Sequence, residues 1–329
     1  PDTTVLPEQP DSSKTPVVVE PADALPQFSQ SEVKELLTAI GEAVETEKFP
    51  YAVGLANDLL RSNPANTAAV EELNAALTSW SASPVRLDDE SSRLILEVAS
   101  NYDPEASRLL LLHYQKTGNA DGEIASLIKL APTEGAYRYR EAGDRLISDE
   151  PDSEDLEQAF QYFLLAATQG DAGAQYRVAE SLIYGKGCPV DYERGEVWLQ
   201  RAIKQGDDRA MNLLGLCYLQ GWGMETDREM AVKLFTKSVE KGNPRAHFNL
   251  GARFAKGEGI ARNPARAHQL FYEGAKLGNP ESMLMLARTF EKGFGVARNL
   301  AEAENWYQEA AARGNFEAQR WRRRAGLSD

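Results

Sequence analysis

Cysteine is nearly missing from this 329-residue sequence: Cys188 and Cys217 are all it has, and no CxxC pair occurs. Disulfides cannot staple such a chain, and a thiolate metal site is excluded by count. Three histidines leave little for an imidazole-rich metal centre. No apolar run approaches the ~20 residues that a membrane-spanning helix needs. Positive charge is also short, 36 Lys and Arg against 50 Asp and Glu, for a formal charge of −14. Nucleic acid and anionic membrane are both held by cations set against phosphate, so neither is an expected partner. GxxxxGK[ST], GxGxxG and HExxH are all absent, which removes the common phosphate-loop, dinucleotide and zinc-protease chemistries. The expectation is an acidic chain with no metal, no cofactor and no membrane insertion in this segment.

What is present is unevenly spread. Residues 1–149 carry 12 basic and 25 acidic side chains, a balance of −13; residues 150–329 carry 24 and 25, a balance of −1. Six prolines lie within residues 1–27 among Ser, Thr, Asp and Glu, a composition with too little apolar surface to offset ordering. Residues 1–29 are therefore read as a disordered Pro-rich linker, with Val17–Val19 as a stretch that could pair with a sheet edge. The first residue is Pro1 rather than Met, so the sequence reads as an excised or processed piece, and compartment is not read from it.

From Gln30 the apolar spacing turns helical. Val33, Leu36, Leu37 and Ile40 form one stripe; Ala52, Leu55, Ala56, Leu59 and Leu60 form another. Residues 49–77 read as helix, Asn-Pro turn, helix, with Ala52, Ala56, Ala68 and Ala69 permitting close approach. Residues 80–88 read as a loop, and helical patterns resume at 89–101, 104–117 and 120–131. Residues 30–133 resemble tetratricopeptide units, though loosely.

The C-terminal half repeats itself. Gly170-Asp171, Gly206-Asp207, Gly242-Asn243, Gly278-Asn279 and Gly314-Asn315 recur every 36 residues, as do Gly185/Gly187, Gly221/Gly223, Gly257/Gly259 and Gly293/Gly295. A fixed period of this length marks a stacked array. In each Gly-Asx step the glycine suits a left-handed helix end and the Asp or Asn suits the cap of the next helix. Pro244 and Pro280 follow the cap, where a missing N–H costs nothing. Asp191, Asp227, Asn263 and Asn299 cap the second helix of each unit, and GxG lies between the two helices. Val178, Leu214, Leu250 and Leu286 share one packing position. Ala179, Gly215, Gly251 and Ala287 are the small residues beside it, and Leu182, Tyr218, Phe254 and Phe290 supply bulk a turn later. Trp198, Leu234, Leu270 and Trp306 are the expected large residues of the second helix, against Ala202, Ser238, Gly274 and Ala310.

The pattern A-x3-L-G-x2-Y-x2-G-x-G-V-x2-D-x3-A-x2-W-x3-A-x3-G-N resembles the Sel1-like repeat family, helical relatives of the tetratricopeptide repeats. It runs over roughly residues 134–325, with its best copies at AMNLLGLCYLQGWGMETD and AHFNLGARFAKGEGIARN. The copy at 135–170 is degraded: Gly143 and Leu146 align, but GxG gives way to DEPDSED. The last copy is a half unit ending in Arg322 and Arg323, as suits a capping helix. The resemblance implies an all-α, right-handed α–α solenoid and an adaptor or scaffold that grips peptides or partner domains in a groove. Nearest-neighbour packing of this kind implies a monomer.

Several residue groups invite a chemical reading. The GxG pairs are read as architecture because they recur at one period. His247 and His268 align with Gln175, Met211, Met283 and with Glu196, Val232, Glu304, so they are read as variable packing positions. Cys188 stands where Met224, Ile260 and Val296 stand elsewhere and is read as a small hydrophobe; a Cys188–Cys217 bond stays open. Arg320, Arg322, Arg323 and Arg324 could meet phosphate, but a helix C-terminus favours them too. The acidic run from Asp149 to Glu157 lacks apolar shielding, so raised carboxyl pKa values are not expected there.

No nucleophile, base and oxyanion set is found, so the chain is expected not to be an enzyme. A partner protein or peptide is expected on the first helices, where non-core positions point into the groove. Tyr176, Glu180 and Tyr184 share that face in one unit, and Asn212 and Gln220 in the next. Phe248 and Lys256 follow, then Leu284, Arg288 and Lys292, with Arg209 and Arg245 at the helix starts. Aromatic anchors mixed with Asn and Arg have the composition of binding hot spots. Two alternatives are the recognition or regulatory part of a larger membrane-anchored receptor or enzyme, and an unusual hydrolase with two isolated carboxylates.

Overall fold

A computed structural model of the chain describes residues 28–82, 90–148 and 150–324. All regular structure among them is helical, in 17 α-helices, as the all-α reading expects. The Pro-rich residues 1–27, with Val17–Val19, and most of the expected 80–88 loop lie outside the described residues. Trp80 does not belong to that loop. It sits inside a helix, 2% exposed, with its ring stacked on Phe49 at a centroid distance of 6.5 Å. Aromatic burial outweighed the Ser-rich, loop-like local sequence. The chain divides into two compact units between Lys116 and Thr117.

The first unit contains α1 (Gln30–Glu45), α2 (Phe49–Ser62), α3 (Thr67–Ala82), α4 (Glu90–Ala99) and α5 (Pro104–Thr117). Ser29 opens α1 with a capping box shared with Glu32. Ala52, Ala56, Ala69 and Ala76 are fully buried among Leu59, Leu60, Leu73 and Leu77, so small residues let the helices close on one another. Asn57 is buried in this apolar interior and donates to the Ile95 carbonyl at 3.0 Å, tying α2 to α4.

The second unit begins with α6 (Ala120–Glu134), which packs on α7 (Tyr137–Leu146), reinforced by Arg145 donating to Glu123 Oε2 at 2.8 Å. α6 and α7 thus belong to the same compact unit as the helices that follow. The unit continues through α8 (Ser153–Thr168), α9 (Ala172–Tyr184), α10 (Tyr192–Lys204), α11 (Asp208–Gln220) and α12 (Arg228–Glu240). Then come α13 (Pro244–Lys256), α14 (Pro264–Lys276), α15 (Pro280–Lys292), α16 (Leu300–Ala312) and α17 (Phe316–Arg324).

Each helix from α9 to α16 is opened by the expected Asp or Asn, whose side chain accepts from a backbone N–H of the first turn. At the sharp turns the glycines take positive φ, 99° at Gly170 and 84–90° at the other four. The following Asx N–H then donates back into the helix just ended, as Asp207 does to Ala202 and Asn243 to Ser238, both at 3.1 Å. That is the Schellman arrangement. The GxG loop is closed by a longer-range bond: the N–H of Asp227 reaches the Tyr218 carbonyl, and that of Asn263 the Phe254 carbonyl, each at 2.9 Å. A Cβ on the second loop glycine would overlap the preceding repeat, at the Leu156 carbonyl for Gly187 and the Arg228 carbonyl for Gly259. Close approach therefore demands glycine here, and the loops are architecture.

The small positions behave as read, and the rings that lie over them come from a column the sequence reading did not single out. Phe235 lies over Gly215 and Phe271 over Gly251, so close that a Cβ would meet each ring at 2.7 Å. Gly143 receives Phe163 in the same way, which makes the degraded copy a true unit. The centre of each helix pair is therefore filled by Leu199, Phe235, Phe271 and Tyr307. Of the large residues expected on the second helices, Leu270 is fully buried, Trp198 and Leu234 are buried at 8% exposure, and Trp306 is half-buried. A second helix buries two adjacent columns, because its neighbours lie both within the repeat and in the next one.

Candidate functional site

The first helices of successive repeats line a groove made of two hollows, about 710 Å³ and about 430 Å³. Both volumes fall in the range of ordinary ligand clefts. The hollows share Tyr176, Glu180, Lys186, Asn212, Arg245 and Asn279, contributed by four repeats.

Tyr176 forms much of the floor. It is 6% exposed, donates to Glu180 Oε1 at 3.0 Å and lies beneath the Arg209 guanidinium at 4.6 Å from the ring centroid. Burial, and then the Glu180 carboxylate, push its phenol well above the ordinary value. Arg209 is held by Asp207 at 2.6 Å, and Glu180 also receives Arg177 at 3.1 Å. Asn212 is buried, and its carbonyl oxygen accepts from Asn249 Nδ2 at 2.8 Å. Phe248 is half-buried, 6.4 Å from the Phe271 ring. Tyr184 is 43% exposed, with Trp222 edge-on at 5.7 Å and the Lys186 ammonium 5.5 Å from its centroid.

Seven of the twelve residues singled out from the sequence, Tyr176, Glu180, Tyr184, Arg209, Asn212, Arg245 and Phe248, come together at this groove. The other five line neither hollow. Gln220, Lys256 and Lys292 are exposed at the ends of α11, α13 and α15. Arg288 reaches across to Glu317 of α17 at 2.5 Å, and Leu284 is 7% exposed within the core of the last repeats. Arg177, Lys186 and Asn249 belong to the site and were not anticipated. Asn249 falls 37 residues after Asn212, so a column read at 36 passes over it. Lys186 is the variable residue of a GxG loop, equivalent to Trp222, Glu258 and Phe294, and looked structural.

The remaining candidates make local contacts within the fold. His247 is buried with Nδ1 2.7 Å from the Asn243 carbonyl, and His268 Nδ1 is 2.8 Å from Thr289 Oγ1. Cys188 and Cys217 are free thiols, and burial raises the pKa of Cys217 to about 12. Among the described residues no group of His, Cys, Asp or Glu could hold a metal ion. Asp152 and Asp155, from the acidic run, form the capping box of α8. Trp321 of α17 stacks on Tyr307 at 4.4 Å, which packs the basic α17 against α16.

The sequence pattern described as Sel1 repeat matches residues 150–171, 172–207, 208–243, 244–279 and 280–315, half of the chain. The chain belongs to the Sel1 repeat family. Its matched copies follow the observed helix pairs, each break falling at the start of a first helix. Among solved structures it is similar to a Sel1 repeat protein from Oxalobacter formigenes, at TM-score 0.57 and 22% identity over 66% of this chain and 86% of that one. It is also similar to a protective antigen of uropathogenic Escherichia coli displaying an SLR fold, at TM-score 0.55 and 22% identity over 79% and 56%. At such identities the likeness is one of fold. An exopolysaccharide production negative regulator of Rhizobium meliloti is 41% identical over 80 residues, which is 24% of this chain and 26% of the regulator's length. Sel1 repeat proteins generally mediate protein–protein interaction.

Proposed function

We propose that this Sel1 repeat protein is a non-catalytic adaptor that holds an extended segment of a partner protein in the groove of α9, α11, α13 and α15. The observation carrying this reading is the convergence of side chains from four repeats on one groove. The capping residues and loop glycines are meanwhile fully used in building the helices. An aromatic ring pair at Tyr184 and Trp222 and a half-buried Phe248 offer apolar contact, and Asn212 and Arg245 offer polar contact.

The test is site-specific photo-crosslinking in the native host. A photoreactive amino acid at Tyr184, on the groove, should join the protein to a discrete partner. The same group at Val197, 52% exposed on α10, should not. Equal yield of the same adduct from both positions would sink the groove assignment.

A further inference from the structure

The charges around the groove are not symmetrically satisfied. Every carboxylate lining its two hollows already accepts a bond: Glu180 from Tyr176 and Arg177, Asp208 from Asn243 at 2.7 Å, and Glu281 from Asn279 at 2.6 Å. The cations are not all used. Arg177 and Arg209 are ion-paired, but the guanidinium of Arg245 is exposed and makes no ion pair or side-chain hydrogen bond among the described residues. Lys186 likewise has no carboxylate partner there. Asp208 and Glu281 accept from neutral amides and keep their charge, so the lining is close to balanced overall; within it, Arg245 and Lys186 are cations without a carboxylate partner among the described residues. Screening over about 8 Å makes the nearest charge, here the Arg245 guanidinium, the one that a side chain docked beside it meets.

A second, independent observation points the same way. Asn212 is 94% buried by its neighbours, being 6% exposed, and its carbonyl oxygen is taken by Asn249. Asn212 lines both hollows, and its amide nitrogen donates no hydrogen bond among the described residues. Such a donor, fixed by packing and left open, is a ready partner for an oxygen acceptor. Arg245 enters the same hollows, and a guanidinium binds a carboxylate through two parallel hydrogen bonds.

Resting on the groove reading, we propose that the groove selects a partner segment carrying an internal Asp or Glu, whose carboxylate is received by Arg245 and the Asn212 amide. The polypeptide passes on either side of that point. The smaller hollow is lined by Tyr184 and Lys186 from the α9 side of Arg245 and by Asn279 and Glu281 from the α15 side. A carboxylate on a side chain, not a chain end, suits a groove that continues beyond its cation. Lys186 favours a second acidic residue toward its end, and Glu281 disfavours one at the opposite end.

The test uses arrays of C-terminally amidated ten-residue peptides, random except for a central Glu, Gln or Lys, probed with the full chain. The full chain should retain the Glu set about tenfold more tightly than the Gln set, the scale of one charge-assisted contact. Arg245→Glu leaves no protein partner stranded, so its melting temperature should match the parent's, and its preference should pass to the Lys set. Tyr184→Ala and Phe248→Ala should weaken all three sets alike. Equal retention of Glu and Gln, or an unchanged preference in Arg245→Glu, overturns the acidic selection; if Tyr184→Ala and Phe248→Ala still weaken binding, the groove reading survives. A Gln set with free C-termini that matches the amidated Glu set would instead assign the cation to a terminal carboxylate. Failure of the full chain to retain any set, or indifference to all three substitutions, overturns the groove reading itself.

Discussion

The Tyr307 hydroxyl donates to Glu291 Oε2 at 2.9 Å beneath the stacked ring of Trp321. Burial, followed by the Glu291 carboxylate, pushes its ionisation from the ordinary 10 up to about 12. An unfolded chain gives up this proton near pH 10, whereas the folded one keeps it until about 12. The contribution is therefore complete below pH 10 and is lost as pH rises toward 12. Urea unfolding followed by circular dichroism across this window should show Tyr307→Phe losing stability less steeply than the parent. Parallel slopes would remove Tyr307 from the account. Tyr176 is raised by the same causes, burial first and then Glu180, but it lies in the groove, where a docked ligand would change its surroundings.

Between one helix and the next, two kinds of glycine do different work. Gly242 ends α12 at φ 87°, and a Cβ there would have nothing within 4 Å. Gly259 has φ 72°, but its Cβ would overlap the Arg228 carbonyl at the start of α12. Gly242→Ala should therefore cost only backbone strain, about 1 kcal/mol. Gly259→Ala should carry the same strain plus roughly 1–3 kcal/mol of overpacking. Equilibrium denaturation of the two variants checks the order, and equal losses would mean that the loop does not rest on its neighbour. The caps are built from the same local logic. Asn279 illustrates it by accepting from both the backbone and the hydroxyl of Ser282.

A stacked array owes its stability to contacts within a repeat and with its neighbours, so damage should spread along the chain by adjacency. Phe235 is the sharpest place to test this, being fully buried over Gly215 with no side chain opposite to relax into the space. Phe235→Ala should cost about 3–5 kcal/mol. Hydrogen exchange should report the loss first in α11 and α12, next in α10 and α13, and last in α16. Uniform loss of protection across the whole second unit would instead mark it as a single cooperative block.

What the sequence determined by itself was everything set by neighbours in the chain. Gly-Asx steps, prolines after caps and apolar spacing depend on contacts within about a turn of helix, so helix ends such as Asp207, Asn243 and Asn279 were legible residue by residue. The small positions Gly215 and Gly251 were legible too, because a repeat prints its packing in columns. The tertiary structure decided which column lies at the centre. Phe235 and Phe271 displaced the neighbouring Leu234 column because a second helix is covered from two directions, which one helical period does not reveal. It also decided the groove. Asn212 meets Asn249 at an offset of 37, Lys186 joins from a loop, and Leu284 turns into the core while Arg288 pairs with Glu317. Such meetings depend on how far each helix pair is rotated on the last. That rotation is fixed by side-chain volumes packed between repeats, and no single repeat contains it.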